Sequence, residues 1–381
     1  MRKLLAILLL TAALLPLHAQ ELEWSVDANA LVNNREGGDE ATPDQTFLFT
    51  RLTPQIGVSI DNAQHCIMAG ATWYQPFDGD WKHGKVEPLL HYEWNAARGD
   101  NRLALKVGMF ERDPHAGGER LPYYMWSDSL QYRRHVVKGI DLQYWHRHGL
   151  LAATLDWQQM QTRHHREAFD ITLHHVWQPA PQGPFFTNTY IRYNHLAKRK
   201  DAPDGEGVND NIIVNPMLGV TLPAGPWNEA HTSRRGKPLS TFSLQLQAGL
   251  LLTCDRARFE DKWHTPAGFV ACATTRWKWF ELEENFYAGQ RQMPLYDLFG
   301  SALYLGDQHY HNKTYSRTDL TWHVVTSDIV ALDAQLTFHA SSSCTAFWQQ
   351  VSVRFNLDNR KLKARRDSGV ASAPLDIISP Y

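Results

Sequence analysis

Thr241-Phe242-Ser243-Leu244-Gln245-Leu246-Gln247-Ala248-Gly249-Leu250-Leu251-Leu252 decides the fold. Phe242, Leu244, Leu246, Ala248, Leu250 and Leu252 alternate with Thr241, Ser243, Gln245, Gln247 and Gly249, and a period of two sends the two sets to opposite faces of a β-strand. The run is long enough to cross a hydrocarbon layer at a tilt, for which about 9 to 11 residues suffice. Working outward, the same dyad recurs. Leu103, Leu105, Val107 and Met109 alternate with Arg102, Ala104, Lys106 and Gly108; Val330, Leu332, Ala334, Leu336 and Phe338 with Ala331, Asp333, Gln335, Thr337 and His339. Leu151 to Gln158 and Phe169 to His174 repeat it.

About 16 such segments follow one another: 22–33, 46–61, 65–76, 84–96, 101–112, 137–147, 149–161, 167–178, 184–196, 211–222, 239–254, 266–278, 280–289, 313–325, 328–340 and 345–357. Their connections alternate between tight (61–64, 146–149, 278–280, 326–328) and long and polar (33–45, 111–135, 195–210, 255–267, 290–312). Short periplasmic turns and long outer loops give a membrane barrel this two-beat rhythm, which a sandwich has no reason to show. The expected fold is all-β, a transmembrane antiparallel up-and-down β-barrel of about 16 strands, with 14 to 18 possible. Three features strain it. The link from Ala224 to Lys237 is long where a short turn is due, so either the turn carries an insertion or one strand is miscounted; Pro88 and Pro216 inside strands imply a bulge or a shifted boundary; and a tail from Asp358 to Tyr381 follows the last alternating run, at odds with barrels that finish on a terminal aromatic.

Composition fits a barrel. The chain has 381 residues, 43% hydrophobic and 12% aromatic, which excludes disorder and is too polar for a helical membrane protein. A formal charge of -2 gives no basic excess for nucleic acid. Cys66, Cys254, Cys272 and Cys344 are too few and scattered for a disulfide scaffold, and their pairing is left open. Arg2 and Lys3, the apolar run Leu4 to Leu17 and the Leu17-His18-Ala19 end read as a Sec signal peptide over 1–19. The barrel then spans 20–357, and 358–381 is a basic tail with Lys361, Lys363, Arg365 and Arg366, read as solvated in the periplasm. Export plus a barrel places the protein in the outer membrane, among lipid and lipopolysaccharide, with the barrel-assembly machinery as a partner.

The chain resembles an uncharacterised family of porin-like outer-membrane β-barrel proteins of Gram-negative bacteria. The resemblance rests on Arg51-Leu52-Thr53-Pro54-Gln55-Ile56-Gly57-Val58-Ser59 with Met68-Ala69-Gly70, on Val86-Glu87-Pro88 leading into Tyr92, on Thr265-Pro266-Ala267-Gly268-Phe269 with Trp277-Lys278, and on Lys313 to Leu320. It covers about Phe47 to Leu357. These are landmarks of strands and turns, so it implies the barrel and carries over no catalytic residue.

If the apolar phase meets lipid, the other phase lines an interior. Candidate lumen and constriction residues are Glu87, His91, Glu93, Arg102, Lys106, Asp141, Asp156, Arg317 and Asp319, joined by Glu111, Arg112, Asp113, Glu119, Arg120, Arg133 and Arg134 of a loop that either folds inward or lies as a lid on the rim. Asp170, His174, Arg192, Arg276 and Asp333 share that phase. Acids and bases are interleaved, which points to a weakly selective passage or a salt-bridged interior. The connection 290–312, with Tyr296, Phe299, Tyr304 and Tyr310, is expected to pack on the rim.

Metal and nucleophile signals are weak. His164-His165 and His174-His175 point to opposite faces, and His309-Tyr310-His311 lacks a third ligand. Asp201, Asp204, Glu206 and Asp210 match no calcium loop. Ser341-Ser342-Ser343 lies near His339 without GxSxG or an acid partner. The expectation is therefore a protein that is not an enzyme, without metal or cofactor. It would act as a passive channel for small hydrophilic solutes. The alternatives are a non-conducting barrel that displays its loops and a soluble exported β-protein.

Overall fold

The computed structural model describes residues 20–38, 44–77, 80–112, 121–202, 206–224, 239–327, 329–342 and 345–359. The expected leader, most of the basic tail, the link 225–238 and Cys344 lie outside them. In chain order the strands are β1 Glu21–Glu36, β2 Gln45–Ile60, β3 His65–Pro76, β4 Lys85–Arg98, β5 Asn101–Glu111, β6 Val136–His146, β7 Gly149–Gln159, β8 Ala168–Trp177 and β9 Phe185–Leu196. There follow β10 Asn209–Leu222, β11 Leu239–Ala257, β12 Lys262–His264, β13 Ala267–Lys278, β14 Phe280–Gly289, β15 Thr314–Thr326, β16 Val330–Ser341 and β17 Thr345–Asp358.

Every strand pairs antiparallel with its sequence neighbour, and β1 pairs with both β2 and β17, so the sheet closes on itself. β12 touches only the top of β11, where β11 overshoots its partner β13. The ring proper is a closed 16-stranded barrel. β10 and β11 pair directly with each other.

The prolines cause no bulge. Pro88 faces Ala71 and Pro216 faces Thr189 in unbroken register, while on the far side the β10–β11 pairing is interrupted at Pro216 without slipping and the β4–β5 pairing stops at Leu90, short of Pro88. A missing N–H costs a bond on one side of the strand only, and the other ladder holds the register. The register shifts fall elsewhere, between Trp157 and Gln159, between Leu239 and Ser243 and between His323 and Val325.

One phase of the strands faces outward, and it is apolar: Ile56, Ile67, Leu90, Leu218, Phe242, Leu250 and Phe338 are each at least half exposed. A belt of this kind would be an aggregation surface in water and is the lipid-facing band of an outer-membrane barrel. Trp177, Trp277, Phe280 and Trp322 stand near its short-turn edge, where an aromatic girdle is expected.

The inward phase encloses two inserted loops. The connection 112–135 carries α1, Asp128–Arg133, and the connection 290–313 carries α2, Tyr296–Phe299, with two 3₁₀ turns. Tyr123, Tyr124, Met125 and Trp126 are buried, and so are Met293, Leu295, Leu303, Leu305 and Tyr310. All of these but Trp126 and Leu305 pack in one cluster with Tyr190, Ile213, Met217, Leu251, Tyr287 and Tyr315 of the wall. Fully burying Met125, Leu303 and Leu305 contributes roughly 1.5–3 kcal/mol each. The described part of the first loop, 121–135, thus folds inward, as one of its two readings had it. The second does not stay on the rim: its Leu and Tyr side chains find an apolar wall inside that inward-phase tyrosines supply.

Candidate functional site

Two places gather functional side chains, the lumen with its plug and the outer rim near β9 and β10. The plug is held by wall residues. Arg317 of β15, fully buried, lies 2.8 Å from Asp319, 2.6 Å from Asp128 of α1 and 4.0 Å from Asp307 of the second loop, with its guanidinium 3.5 Å over the Tyr123 ring. Tyr123 Oη donates to Asp319 at 2.8 Å. One side chain therefore fastens both loops, and its planar fork lets it meet several carboxylates at once. Across the lumen, Arg192 bonds Asp170 at 3.3 Å and donates to the Met125 carbonyl at 3.0 Å, while Asn194 donates to the Leu303 carbonyl at 2.5 Å. Tyr124 donates to Asn215, and Tyr304, kept protonated by burial and by Asp255, donates to Asp255 at 2.8 Å.

His135 closes the base of the first loop. Burial, reinforced by the charge of Arg51, lowers it to about 4, so the folded state holds it neutral. Between about 4 and the ordinary 6.5 an opened loop binds a proton that the closed loop rejects, so acid favours opening. Trypsin cleavage of the 112–135 loop should accelerate by up to about tenfold per pH unit lowered through that window, and His135→Phe should flatten the slope. A cleavage rate independent of pH in the unaltered protein would refute this.

Between the plug and the short turn after β15 lies a chamber of about 420 Å³. Of the sequence candidates it gathers His91, Glu93, Lys106, Glu111, Arg112, Arg317 and Asp319 on its wall. Glu87 pairs with Lys138 at 3.4 Å, Asp141 accepts from Thr154 at 2.6 Å, and Asp156 pairs with Arg112. Arg102 stacks on Trp145 beside the β4–β5 turn, Arg133 is exposed, and Arg134 donates to Gln158 at 2.6 Å. Asp113, Glu119 and Arg120 lie outside the described residues. Contributors that the sequence reading did not single out are Arg51, which lies 3.1 Å from Glu111, Asp128, and Arg354, 3.0 Å from Asp27. Arg51 and Arg354 are in the inward phase of their strands, and that phase was the signal available.

The rim site comes from a cross-strand pair. His195 on β9 and Asp210 on β10 are in direct register and belong to the outward phase. His195 Nδ1 lies 2.7 Å from Asp210 Oδ1; Tyr193 Oη donates to the same oxygen at 2.8 Å, and Arg258 reaches Oδ2 through Nε at 3.3 Å and Nη2 at 3.2 Å. Phe169 packs on the imidazole with centroids 4.9 Å apart and stacks on Trp157. The carboxylate orients the ring, and Nε2 is the nitrogen left to act as a base at the edge of the lipid-facing band.

The weaker signals do not converge. Asp201 pairs with Arg163 and Glu206 with Arg199, which lowers the Glu206 carboxyl, while Asp210 belongs to the rim pair; Asp204 lies outside the described residues. Among the described residues no three His, Cys, Asp or Glu side chains could hold a metal. His174 bonds Asn188 at 3.0 Å, and His309 stacks on Tyr315 and His339. His339 Nδ1 faces Tyr315 Oη at 2.7 Å, whereas Ser342 bonds Asn312. Cys66, Cys254 and Cys272 form no disulfide among the described residues.

Similar folds are found among solved outer-membrane proteins. OpdL of Pseudomonas aeruginosa is 12% identical, with a TM-score of 0.45 over 89% of this chain and 99% of its own. OprD of Pseudomonas aeruginosa is 9% identical, with 0.44 over 88% and 94%, and OccAB3 of Acinetobacter baumannii is 6% identical, with 0.44 over 89% and 99%. No curated protein matches. A family profile, described as lipid A 3'-O-deacylase-type, matches residues 14–361. That match corrects the expectation of a protein that is not an enzyme, because the family's name is that of an ester hydrolase. No linear motif marks His195 and Asp210, which meet only across the β9–β10 hairpin. Spanning most of the sequence, the match settles the kinship: the chain belongs to the lipid A 3'-O-deacylase-type family.

Proposed function

We propose that the protein removes an O-linked acyl chain from a lipid A-type glycolipid in the outer leaflet, using His195 and Asp210 at the rim. The observation that carries this reading is the oriented imidazole on the lipid-facing phase, beside an aromatic cluster where an acylated substrate can lie without leaving the membrane. Asp210 accepts the Nδ1 proton and leaves Nε2 basic. Nε2 takes a proton from water, the hydroxide adds to the ester carbonyl, and the proton passes on to the departing sugar alkoxide. Arg258, more than half exposed, offers positive charge to the developing oxyanion or to a substrate phosphate. Expression in a Gram-negative host should yield lipid A lacking one acyl chain by mass spectrometry, and His195→Ala should restore the parent mass. Unchanged lipid A with the unaltered protein correctly inserted would count decisively against the proposal.

A second reading, passage of small hydrophilic solutes, is favoured by the polar chamber. It requires the plug to move, since two loops occupy the lumen above the chamber.

A further inference from the structure

We infer that the chamber beneath the plug binds a neutral, hydroxyl-rich small molecule, a mono- or disaccharide. Size comes first: about 420 Å³ lies within the range of small-molecule sites, roughly 300–1,000 Å³. Its roof is α1 with Tyr132, and its wall runs down to Ser327 in the turn after β15. The wall is more polar than apolar, with Leu31, Phe110, Ile329 and Ala331 as its wholly apolar side chains.

Charge decides the ligand class. Each cation on the wall already has a carboxylate: Arg51 has Glu111 at 3.1 Å, Lys106 has Glu93 at 3.2 Å, Arg354 has Asp27 at 3.0 Å, Arg317 has Asp319 at 2.8 Å and Arg112 has Asp156. His323 lies 2.7 Å from Asp333, and Glu281 accepts from Arg276 at 2.6 Å. An anionic solute would have to break one of these pairs and leave a carboxylate uncompensated, a cationic solute that displaced a partner would strand an Arg or Lys, and Glu283, the further carboxylate on the wall, accepts from Asn285 at 2.8 Å. What the wall has to offer is side-chain amide and hydroxyl groups, from Asn29, Gln55, Thr321 and Ser352 on four strands. Amides both donate and accept, which matches a sugar hydroxyl that does the same. Sites that pair buried polar groups with ligand hydroxyls discriminate sharply against ligands lacking them.

This chamber lies inside the barrel and does not depend on the rim chemistry. The test uses the full chain in detergent micelles, titrated calorimetrically with trehalose, citrate and putrescine at physiological ionic strength. Saturable trehalose binding is expected, with citrate and putrescine at least about tenfold weaker. Gln55→Leu and Ser352→Leu, at side chains with no hydrogen bond or ion pair among the described residues, should each weaken trehalose at least about tenfold while the heat-modifiable gel mobility of the barrel is kept. His195→Ala should leave trehalose binding unchanged. Absence of saturable trehalose binding, tighter binding of citrate or putrescine, or equal affinity in two folded Leu variants would overturn the assignment.

Discussion

Arg317→Leu should release the plug while leaving the barrel intact. The guanidinium is fully buried and compensates Asp128 and Asp319 directly, with Asp307 at the edge of its reach. Leucine fills much of the volume but leaves these carboxylates buried without their cation, a change that typically costs about 3–5 kcal/mol. Opening the loops hydrates Asp128 and Asp307, so the cost falls on the closed plug, and the open fraction should rise by about 10²- to 10³-fold. The strand ladders do not run through Arg317's side chain, and heat-modifiable mobility should persist. In planar bilayers the unaltered protein should open rarely and Arg317→Leu frequently, since a 16-strand ring with its loops withdrawn leaves an aqueous channel. Trypsin should cut the 112–135 loop faster in parallel. Arg317→Lys should be intermediate, because an ammonium keeps the charge but lacks the planar fork. Silent bilayers and an unchanged cleavage rate for Arg317→Leu would show that packing of the apolar loop residues alone holds the plug.

The fold was legible because a lipid-facing strand has no freedom in its outward phase. Thr241 to Leu252 and the segments like it declare their faces, and the strand ends read from sequence differ from the observed ones by only a few residues. The inside was much less legible. A lumen residue answers to whatever fills the lumen, and that depends on loops whose path no periodicity specifies. Tyr123 and Tyr124 could be noticed as aromatic, but their landing against Tyr190 and Tyr315 depends on ring closure. The rim site failed to show for another reason. Asp210 was read as the end of an acidic loop, one residue short of the next strand, whereas the strand begins at Asn209 and places Asp210 opposite His195. A symmetric closing of that hairpin would have paired the two; composition, which favoured a solvated loop, pointed away from it.

Asp210→Asn is the change with the largest expected effect on chemistry. In the native rim site the Asp210 carboxylate accepts from Tyr193 and Arg258 and faces His195 Nδ1, so the imidazole carries its proton on Nδ1 and Nε2 keeps a lone pair. An asparagine in the same place presents an amide whose N–H₂ end favours the opposite tautomer, with the proton on Nε2 and the base lost. A comparable substitution behind a histidine base lowers kcat about 10⁴-fold, and a loss of about 10³- to 10⁴-fold is expected here for deacylation, with KM little changed. Tyr193→Phe removes one donor but leaves the carboxylate and its histidine, so a loss nearer tenfold should follow. Arg317→Leu, which acts inside the barrel, should leave this rate alone even as it opens the plug. A near-native kcat for a correctly inserted Asp210→Asn would mean that the pair is only a hydrogen-bonded part of the interfacial girdle, and the ester chemistry would have to be sought on another face of the barrel.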